Sequence, residues 1–129
     1  RFAKETGVAL VPYSPLAAGR LAREWDSETD RMKSDVVAKR KYDSTEDTDR
    51  KIIEAVGKVA QKHGVTRAQV ATAWLWEKGV VSPIVGITKE KYLDDFVRAL
   101  DVKLDEAVMK ALEEYYVPHE IMVYAQSEN

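Results

Sequence analysis

The sequence has no cysteine among its 129 residues, and its two histidines, His63 and His119, lie far apart. The absence of cysteine excludes disulfide bonds and thiolate metal ligands, and two isolated histidines leave too few donors for a zinc site. No apolar run approaches the length that spans a membrane, and no signal peptide is visible. We therefore expect a cytoplasmic protein that binds neither a metal nor a membrane.

A strong excess of one charge is also missing. The 20 basic and 22 acidic side chains give a formal net charge of −2, and the longest basic cluster is Lys39-Arg40-Lys41. Because binding to a phosphate backbone needs a concentrated positive surface, this pattern argues against nucleic acid as the main partner. The sequence also shows no nucleophile elbow, Walker pattern or prominent carboxylate pair. What is left is a domain that binds a cofactor or another protein.

Two short apolar segments are the main feature that is present. Residues 7 to 13 contain the continuous apolar run Val8 to Val11, which predicts a strand covered on both faces. Residues 80 to 85 predict a second strand, which Pro83 keeps short or irregular. Residues 14 to 44, after the first strand, form a long polar connection of the kind that is usually functional or mobile in compact domains.

Four helices are predicted from apolar stripes and from the residues at their ends. They cover residues 47 to 63, the stretch from the N-cap Thr66 to the stop at Gly79, residues 88 to 100 and residues 105 to 115. The order strand, helix, helix, strand, helix, helix implies an α/β fold with parallel strands joined by right-handed crossovers. Two parallel strands leave open edges, so we expect them to belong to a larger sheet and to self-associate when exposed.

The second strand ends in Gly86-Ile87-Thr88-Lys89, where a helix is predicted to begin with Thr88 as its N-cap. The unpaired N–H groups and the positive end of the helix dipole favour an anion there, while Thr88 can add a hydroxyl and Lys89 a full charge. These features suit a phosphate. The same pattern is also typical of an ordinary N-cap followed by a solvated lysine.

The first strand ends in Tyr13-Ser14-Pro15-Leu16, at the position from which barrel enzymes build their sites. An aromatic ring there can stack on a flat ligand ring, and Ser14 with the backbone amides after it can hold a pyrophosphate. A core tyrosine followed by a turn would give the same pattern. In the connection that follows, Arg20, Arg23 and Arg31 offer guanidinium groups suited to phosphate, although a solvated loop explains any one of them more simply.

Taken together and in this order, these segments resemble the aldo-keto reductases along nearly the whole chain. The stretch from Tyr13 to Gly19 looks like the seventh strand of that family's barrel, and Pro83 to Asp95 looks like its eighth strand and cofactor helix. Between them, Gly64 to Leu75 looks like the intervening helix pair. Tyr116-Val117-Pro118-His119 resembles the ending of one microbial and fungal branch.

The resemblance implies a (β/α)8 TIM barrel that reduces aldehydes and ketones with NADPH. Residues 1 to 129 would be the C-terminal part of that barrel, with its last two strands and their helices, and the N-terminal half would lie upstream of Arg1. The family's catalytic aspartate, tyrosine, lysine and histidine belong to that first half, so no catalytic residue is assigned here. The implied partners are the nicotinamide cofactor and, in the intact protein, a small carbonyl substrate.

The resemblance also assigns cofactor-binding roles after each strand. Tyr13 would stack on the nicotinamide, and Arg31 would come from the loop that clasps the cofactor. Along the pyrophosphate would lie Ser14, Leu16 and Ala18, with Pro15 in the same cofactor-binding turn. At the adenosine 2′-phosphate would lie Thr88 and Lys89, with Gly86 just before them.

Two further residues of the cofactor helix would contact the adenine. Tyr92 would lie beside the ring, and Asp95 would bind its amino group. Many family members have asparagine at the next position, where this chain has Phe96. This difference puts one hydrogen bond to the adenine in question and leaves the phosphate site in place.

Two other functions stay open from the sequence. A non-catalytic interaction or regulatory protein can keep the cofactor surface of this family without its chemistry, and an unrelated barrel can use the anion site for a phosphorylated substrate. A coding segment upstream with the four catalytic residues would favour the reductase. Its absence would favour the regulatory protein.

Overall fold

The computed structural model describes residues 2–27, residue 36 and residues 45–118. Its regular elements, in chain order, are α1 (Phe2–Thr6), a 3₁₀ helix (Ala17–Ala22), α2 (Glu46–His63), α3 (Arg67–Glu77), α4 (Glu90–Arg98), a 3₁₀ turn (Ala99–Asp101) and α5 (Glu106–Glu113). All four predicted helices are confirmed: α2, α3 and α5 have nearly the predicted bounds, and α4 with the 3₁₀ turn after it covers residues 90 to 101 where residues 88 to 100 were predicted.

Capping interactions define the C-terminus of α2 and the N-termini of α3 and α5. α2 stops at Gly64, whose left-handed backbone (φ +66°) lets its N–H bond to carbonyls of the last turn. α3 starts with a capping box, in which the Thr66 hydroxyl accepts from the Gln69 N–H and the Gln69 side chain accepts from the Thr66 N–H. Asp105 caps α5 by accepting from the N–H of Val108 at 2.8 Å. Each cap satisfies backbone groups that a helix end leaves unpaired.

The hydrophobic core lies between α2, α3 and α5. Val70, near the middle of α3, is fully buried. The buried cluster consists of Val56, Val59, Ala60, Val70, Ala73, Leu104, Val108 and Leu112. α4 and both 3₁₀ segments also pack against α3. α3 is therefore the element that connects the helical core to the parts of the chain with the predicted ligand-binding residues.

A polar link joins the ends of α3 and α5 beside this core. Glu113 accepts a hydrogen bond from the indole Nε1 of Trp74 at 2.9 Å and from the Lys78 ammonium at 3.0 Å. The pKa of the Glu113 carboxyl is lowered, chiefly by the hydrogen bond from Lys78 and also by the bond from Trp74, against an opposing effect of burial. The link thus favours the ionised carboxylate in the folded state.

Replacing Glu113 with glutamine should lower the free energy of unfolding at neutral pH by less than about 1 kcal/mol, because the ion pair is partly exposed. A carboxyl with a lowered folded-state pKa stabilises the fold above its ordinary pKa, and the contribution is lost as the pH falls through the lowered value. Denaturant unfolding from pH 7 to pH 3 should therefore show the wild-type advantage disappearing in acid. Glu114→Gln, at the exposed neighbouring position, is the control, and an advantage that persists in acid would contradict the assignment.

The two predicted strands do not form a ladder within the described residues. Residues 7 to 13 and 80 to 85 are paired at one isolated parallel bridge, between Tyr13 and Ile84. Next to it, the N–H of Ile84 bonds to the carbonyl of Pro12 at 2.8 Å, and the N–H of Val81 bonds to the carbonyl of Leu10 at 3.1 Å. The prediction of a strand over residues 7 to 13 is wrong here, whereas the second segment is short and irregular as predicted. The direction of pairing, which is parallel, is also as predicted.

Proline explains why the pairing stays so short. In a parallel ladder, each segment donates hydrogen bonds to the other. In this register, the next bond from the first segment to the second would run from the N–H of residue 12 to the carbonyl of residue 82. Pro12 has no N–H, so this bond cannot form. Ser82 and Ile84 are the residues that donate to the first segment, so position 83 faces away from it and Pro83 does not affect this pairing. The chain direction is therefore kept while the regular hydrogen-bond ladder is interrupted.

The prediction that the first apolar run is covered on both faces is also wrong for this structure. Val8, Leu10 and Val11 are 53%, 45% and 52% exposed, and Ile84 in the second segment is 56% exposed. The reason is that α2, α3 and α5 bury their apolar stripes against one another, and in the described part of the chain the two extended segments form their strand-like bridge with each other. The described part of the chain thus presents an apolar surface made of residues 8–13 and 81–87.

Candidate functional site

Parallel pairing brings the ends of the two extended segments to one side of the structure. The bridge between Tyr13 and Ile84 is the last pairing before the chain leaves each segment. Because parallel segments run in the same direction, the chain leaves both of them at the same end. The turn from Ser14 to Gly19 and the stretch from Gly86 to Lys89 therefore follow neighbouring segment ends. These are the two stretches with most of the predicted ligand-binding residues.

The turn after Tyr13 has a strained backbone. Ser14, Ala17 and Ala18 have φ values of 55°, 48° and 56°, and Gly19 has a φ of 89°. A left-handed conformation costs a residue other than glycine roughly 1–2 kcal/mol, so three of them in one short turn need a compensating role. Such strain clusters at ligand-binding turns, which supports a functional role for this one.

The same turn has two backbone donors without protein acceptors. The N–H of Ala17 bonds to the carbonyl of Ser14 at 3.0 Å, and the N–H of Gly19 bonds to the carbonyl of Leu16 at 2.9 Å. Within the described ranges, the N–H groups of Leu16 and Ala18 donate to no protein acceptor. Successive backbone donors at a step from a residue with negative φ to one with positive φ, such as Leu16 to Ala17 here, form concave anion sites. Leu16 and Ala18 are two of the residues predicted along the pyrophosphate, and their free donors fit that chemistry.

Side chains around the turn add an aromatic ring and positive charge. Tyr13 is 62% exposed, so its ring is not part of a core in the part of the chain that the structure describes. The Arg23 guanidinium lies against Gly19, and the Arg20 guanidinium lies 5.8 Å from the ring centre of Trp25. Both arginines line a cavity of about 170 Å³, which is too small for a dinucleotide. Glu24 and Glu46 line the same cavity, so the two arginines do not form a separate cationic pocket.

The second stretch starts α4 one residue later than predicted. Lys89, with an extended backbone, is the N-cap, and no side-chain cap bond is formed. The prediction of Thr88 as the N-cap is wrong, because Lys89 itself has an extended backbone and the helix begins at Glu90. Thr88 and Lys89 are both exposed, and no carboxylate pairs with the Lys89 ammonium among the described residues. A hydroxyl, an ammonium and the first N–H groups of α4 thus follow one another along the chain, and these are groups that bind a phosphate.

Gly86 and Tyr92 flank this helix start. No atom lies within 4 Å of the place where a Cβ of Gly86 would stand, so the chain before Thr88 borders open space. Tyr92 is half-buried on the first turns of α4, and the Lys91 ammonium lies 5.3 Å from the centre of its ring. Lys89 and Lys91 outweigh the single carboxylate of Glu90 between them. The stretch has a net positive charge.

Asp95 lies on the same face of α4 as Tyr92 and is half-buried. One of its carboxylate oxygens, Oδ1, accepts from the Gln69 side-chain amide at 3.1 Å and from the Thr66 hydroxyl at 3.3 Å. α4 is thereby tied to the N-terminus of α3. The sequence indicated Thr66 as a cap but gave no sign of this contact, since Asp95 is 26 residues from Gln69. The glutamine of the capping box is the residue that sequence analysis missed.

The remaining predictions concern Arg31, metal ions and membrane helices. Arg31 lies outside the described residues, so its predicted role as a cofactor clasp stays a prediction. In the part of the chain that is described, no cluster of histidine, cysteine, aspartate or glutamate has the arrangement of a metal site. Likewise, the helices of the described ranges include none that is long and apolar enough to cross a membrane.

The sequence is similar to a known protein family and to several fungal enzymes. The family model described as "Aldo/keto reductase family" matches residues 1–117. The chain is 39% identical over 123 residues to the versiconal hemiacetal acetate reductase of Aspergillus parasiticus, covering 91% of this chain and 35% of that protein. It is 34% identical over 122 residues to an aldo-keto reductase of Metarhizium robertsii, covering 94% of this chain and 33% of that protein.

A third relative is a Saccharomyces cerevisiae protein whose name assigns it provisionally to the aryl-alcohol dehydrogenases. It is 40% identical over 118 residues, which cover 91% of this chain and 34% of that protein. The chain therefore spans about a third of the length of these relatives. The match to most of its residues shows that the chain belongs to the aldo/keto reductase family, a membership that implies a (β/α)8 barrel.

Proposed function

We propose that this chain is the C-terminal, cofactor-binding part of an NADP(H)-dependent aldo-keto reductase, which reduces aldehydes or ketones to alcohols. One observation carries the proposal: two anion-favouring stretches follow neighbouring ends of parallel segments. The turn at Ser14 to Gly19 has unused backbone donors, and the start of α4 has the unpaired Lys89. A dinucleotide with a pyrophosphate and a 2′-phosphate needs two such places. The membership in the family supports the same assignment.

Each end of the cofactor would meet a different stretch. The N–H groups of Leu16 and Ala18 would bind the pyrophosphate, with Ser14 and Pro15 shaping the turn, and Tyr13 would stack on the nicotinamide ring. When bound, the cofactor supplies a hydride to the carbonyl carbon. Tyr13 would fix the face of the ring, and the exposure of its side chain is consistent with that role.

The adenosine end would lie at α4. Lys89 and Thr88 would hold the 2′-phosphate beside the helix N-terminus, with Gly86 leaving space for the approach of the ligand. Tyr92 would lie beside the adenine, and Asp95 would accept a hydrogen bond from its amino group. Because a ribose with a free 2′-hydroxyl cannot use the charge of Lys89, this end of the site would distinguish NADPH from NADH.

The rest of the barrel would supply the catalytic residues and cover the apolar surface of residues 8–13 and 81–87. Two observations support this part of the proposal. The chain spans about a third of its relatives' length, and the side chains of Val8, Val81 and Ile84 are more than half exposed. Apolar parallel segments of this kind are buried in α/β barrels. The 129 residues alone would therefore self-associate and would oxidise no NADPH.

The proposal can be tested with the purified full-length protein by titrating it with NADPH and NADH and by following oxidation of NADPH with a panel of aldehydes and ketones. We expect NADPH to bind roughly tenfold or more tightly than NADH, since a charge-assisted contact is worth about 1.5–3 kcal/mol. At least one aldehyde or ketone should be reduced. Equal binding of the two cofactors would contradict the phosphate site. Tight binding without turnover of any carbonyl would favour the non-catalytic regulatory protein instead.

A further inference from the structure

The buried amide of Gln69 has a fixed orientation. Gln69 is only 6% exposed, and both the oxygen and the nitrogen of its side-chain amide are hydrogen-bonded. Oε1 accepts from the backbone N–H of Thr66 at 3.0 Å, and Nε2 donates to Oδ1 of Asp95 at 3.1 Å. A backbone N–H can only donate and a carboxylate can only accept. Reversing the amide would therefore break both bonds.

The two carboxylate oxygens of Asp95 differ in their hydrogen-bond partners. Oδ1 is occupied by Gln69 and by the hydroxyl of Thr66. Oδ2 has no hydrogen-bond partner in the described ranges, and the carboxylate is half-buried rather than freely rotating in solvent. Gln69 thus holds one oxygen, and the other is left for an incoming donor.

We propose that Gln69 is a positioning residue, which orients Asp95 so that Oδ2 accepts a hydrogen bond from the exocyclic amino group of the adenine. This inference rests on the proposed function, because it takes α4 as the adenine-binding helix. Phe96, at the next position, offers no hydrogen-bonding group, so the orientation of Asp95 decides the polar contact at this point of α4. The capping box that starts α3 would then also set the base specificity of the site on α4.

A purely structural role makes a different prediction. If Asp95 only ties α4 to α3, its replacement changes stability and leaves the preference among bases unaltered. The distinguishing probe is the NADPH analogue with hypoxanthine in place of adenine, which has a carbonyl oxygen where the amino group stands. In the wild-type full-length protein we expect NADPH to bind roughly tenfold more tightly than this analogue, because the carboxylate favours a donor and repels a carbonyl.

The first variant is Asp95→Asn, which keeps the shape of the side chain. Gln69 still offers its Nε2 donor, so the new amide must direct its oxygen to Gln69 and its NH₂ group to the ligand. An NH₂ group repels the amino group of adenine and donates to the carbonyl of hypoxanthine. We therefore expect the preference to invert, with the hypoxanthine analogue binding severalfold more tightly than NADPH.

The second variant combines Gln69→Glu with Asp95→Asn. The carboxylate introduced on α3 keeps an acceptor for the Thr66 N–H, and its other oxygen can only accept, so the amide introduced on α4 must reverse. The oxygen of that amide then faces the ligand, and we expect the preference for NADPH to return. Gln61→Glu with Asp95→Asn is the matched control, because it makes the same chemical change at an exposed position of α2. That control should keep the inverted preference.

The outcomes separate this inference from the proposed function. Wild-type protein that does not distinguish NADPH from NADH contradicts the proposed function itself. Wild-type protein that prefers NADPH to NADH but does not distinguish adenine from hypoxanthine overturns only the role of Asp95. If Asp95→Asn inverts the preference and the Gln69→Glu change does not restore it, Gln69 does not orient the side chain. Thermal unfolding of each variant shows whether loss of folding contributes to any change in affinity.

Discussion

Replacing Lys89 with glutamate should weaken the binding of NADPH by roughly tenfold or more and should leave the binding of NADH almost unchanged. The reason is that the ammonium of Lys89 has no partner among the described residues and lies beside the N-terminus of α4. A 2′-phosphate would use that charge and a 2′-hydroxyl would not. Equilibrium titration of the wild-type protein and the variant with both cofactors measures the difference directly.

The control for Lys89→Glu is the same charge reversal at Lys103, an exposed residue in the connection before α5. It changes the net charge equally, and we expect it to have little effect on either cofactor. A similar loss for NADPH in both variants would mean that the effect comes from the overall charge of the protein. Equal losses of NADPH and NADH binding in Lys89→Glu would remove the assignment of the 2′-phosphate to this residue.

Replacing Tyr13 with alanine should cost roughly fivefold to a hundredfold in cofactor affinity, if its ring stacks on nicotinamide as aromatic side chains stack on bases. The protein should still fold, because a ring that faces the cofactor is not packed into a core, and the free energy of unfolding should fall by much less than the roughly 3–5 kcal/mol that loss of a core ring costs. The prediction is checked by measuring denaturant unfolding and nucleotide affinity on the same preparation.

Tyr116→Ala is the matched control for Tyr13→Ala, since Tyr116 is 67% exposed and follows α5. We expect it to change neither affinity nor stability appreciably. If Tyr13→Ala instead lowers stability by several kcal/mol and leaves the affinity of the folded protein unchanged, the ring has a packing role in the complete protein. That result would remove Tyr13 from the cofactor site.

The helices could be predicted from the sequence because local interactions determine their ends. Gly64 supplies the left-handed residue that stops α2, Thr66 caps α3, and Asp105 caps α5. Each of these signals lies within a few residues of the backbone group that it satisfies. The apolar stripe of α2 likewise faces the core as the spacing predicts. Local capping and periodicity thus account for the helical part of the fold.

The extended segments could not be predicted as well, because their structure depends on pairing with other parts of the chain. The apolar run at Val8 to Val11 indicates burial, but the segment is exposed where its described neighbours do not cover it. Pro12 is visible in the sequence, yet its effect depends on the register with residue 82, which only the pairing of Tyr13 with Ile84 establishes. Tertiary context therefore overrides the strand preference.

The residues of the candidate site also differ in whether the local sequence indicates them or only the folded structure does. Short motifs indicated Ser14 and Lys89, and the family resemblance added Leu16 and Ala18. The structure adds strained φ angles and unused donors to the stretch from Ser14 to Gly19. The start of α4 differed by one residue from its predicted position because an exposed threonine does not by itself fix a helix end. The bond between Gln69 and Asp95 joins two helices and has no local sequence signal. Contacts of this kind appear only with the fold.

The central claim is that one NADP(H) molecule extends from the turn after Tyr13 to the start of α4. The most direct test is a crystal structure of the full-length protein with NADP⁺ bound. We expect the nicotinamide on the ring of Tyr13, the pyrophosphate at the N–H groups of Leu16 and Ala18, and the 2′-phosphate within hydrogen-bond distance of Lys89. A nucleotide bound in the reverse direction, or at a place that contacts neither stretch, would contradict the account.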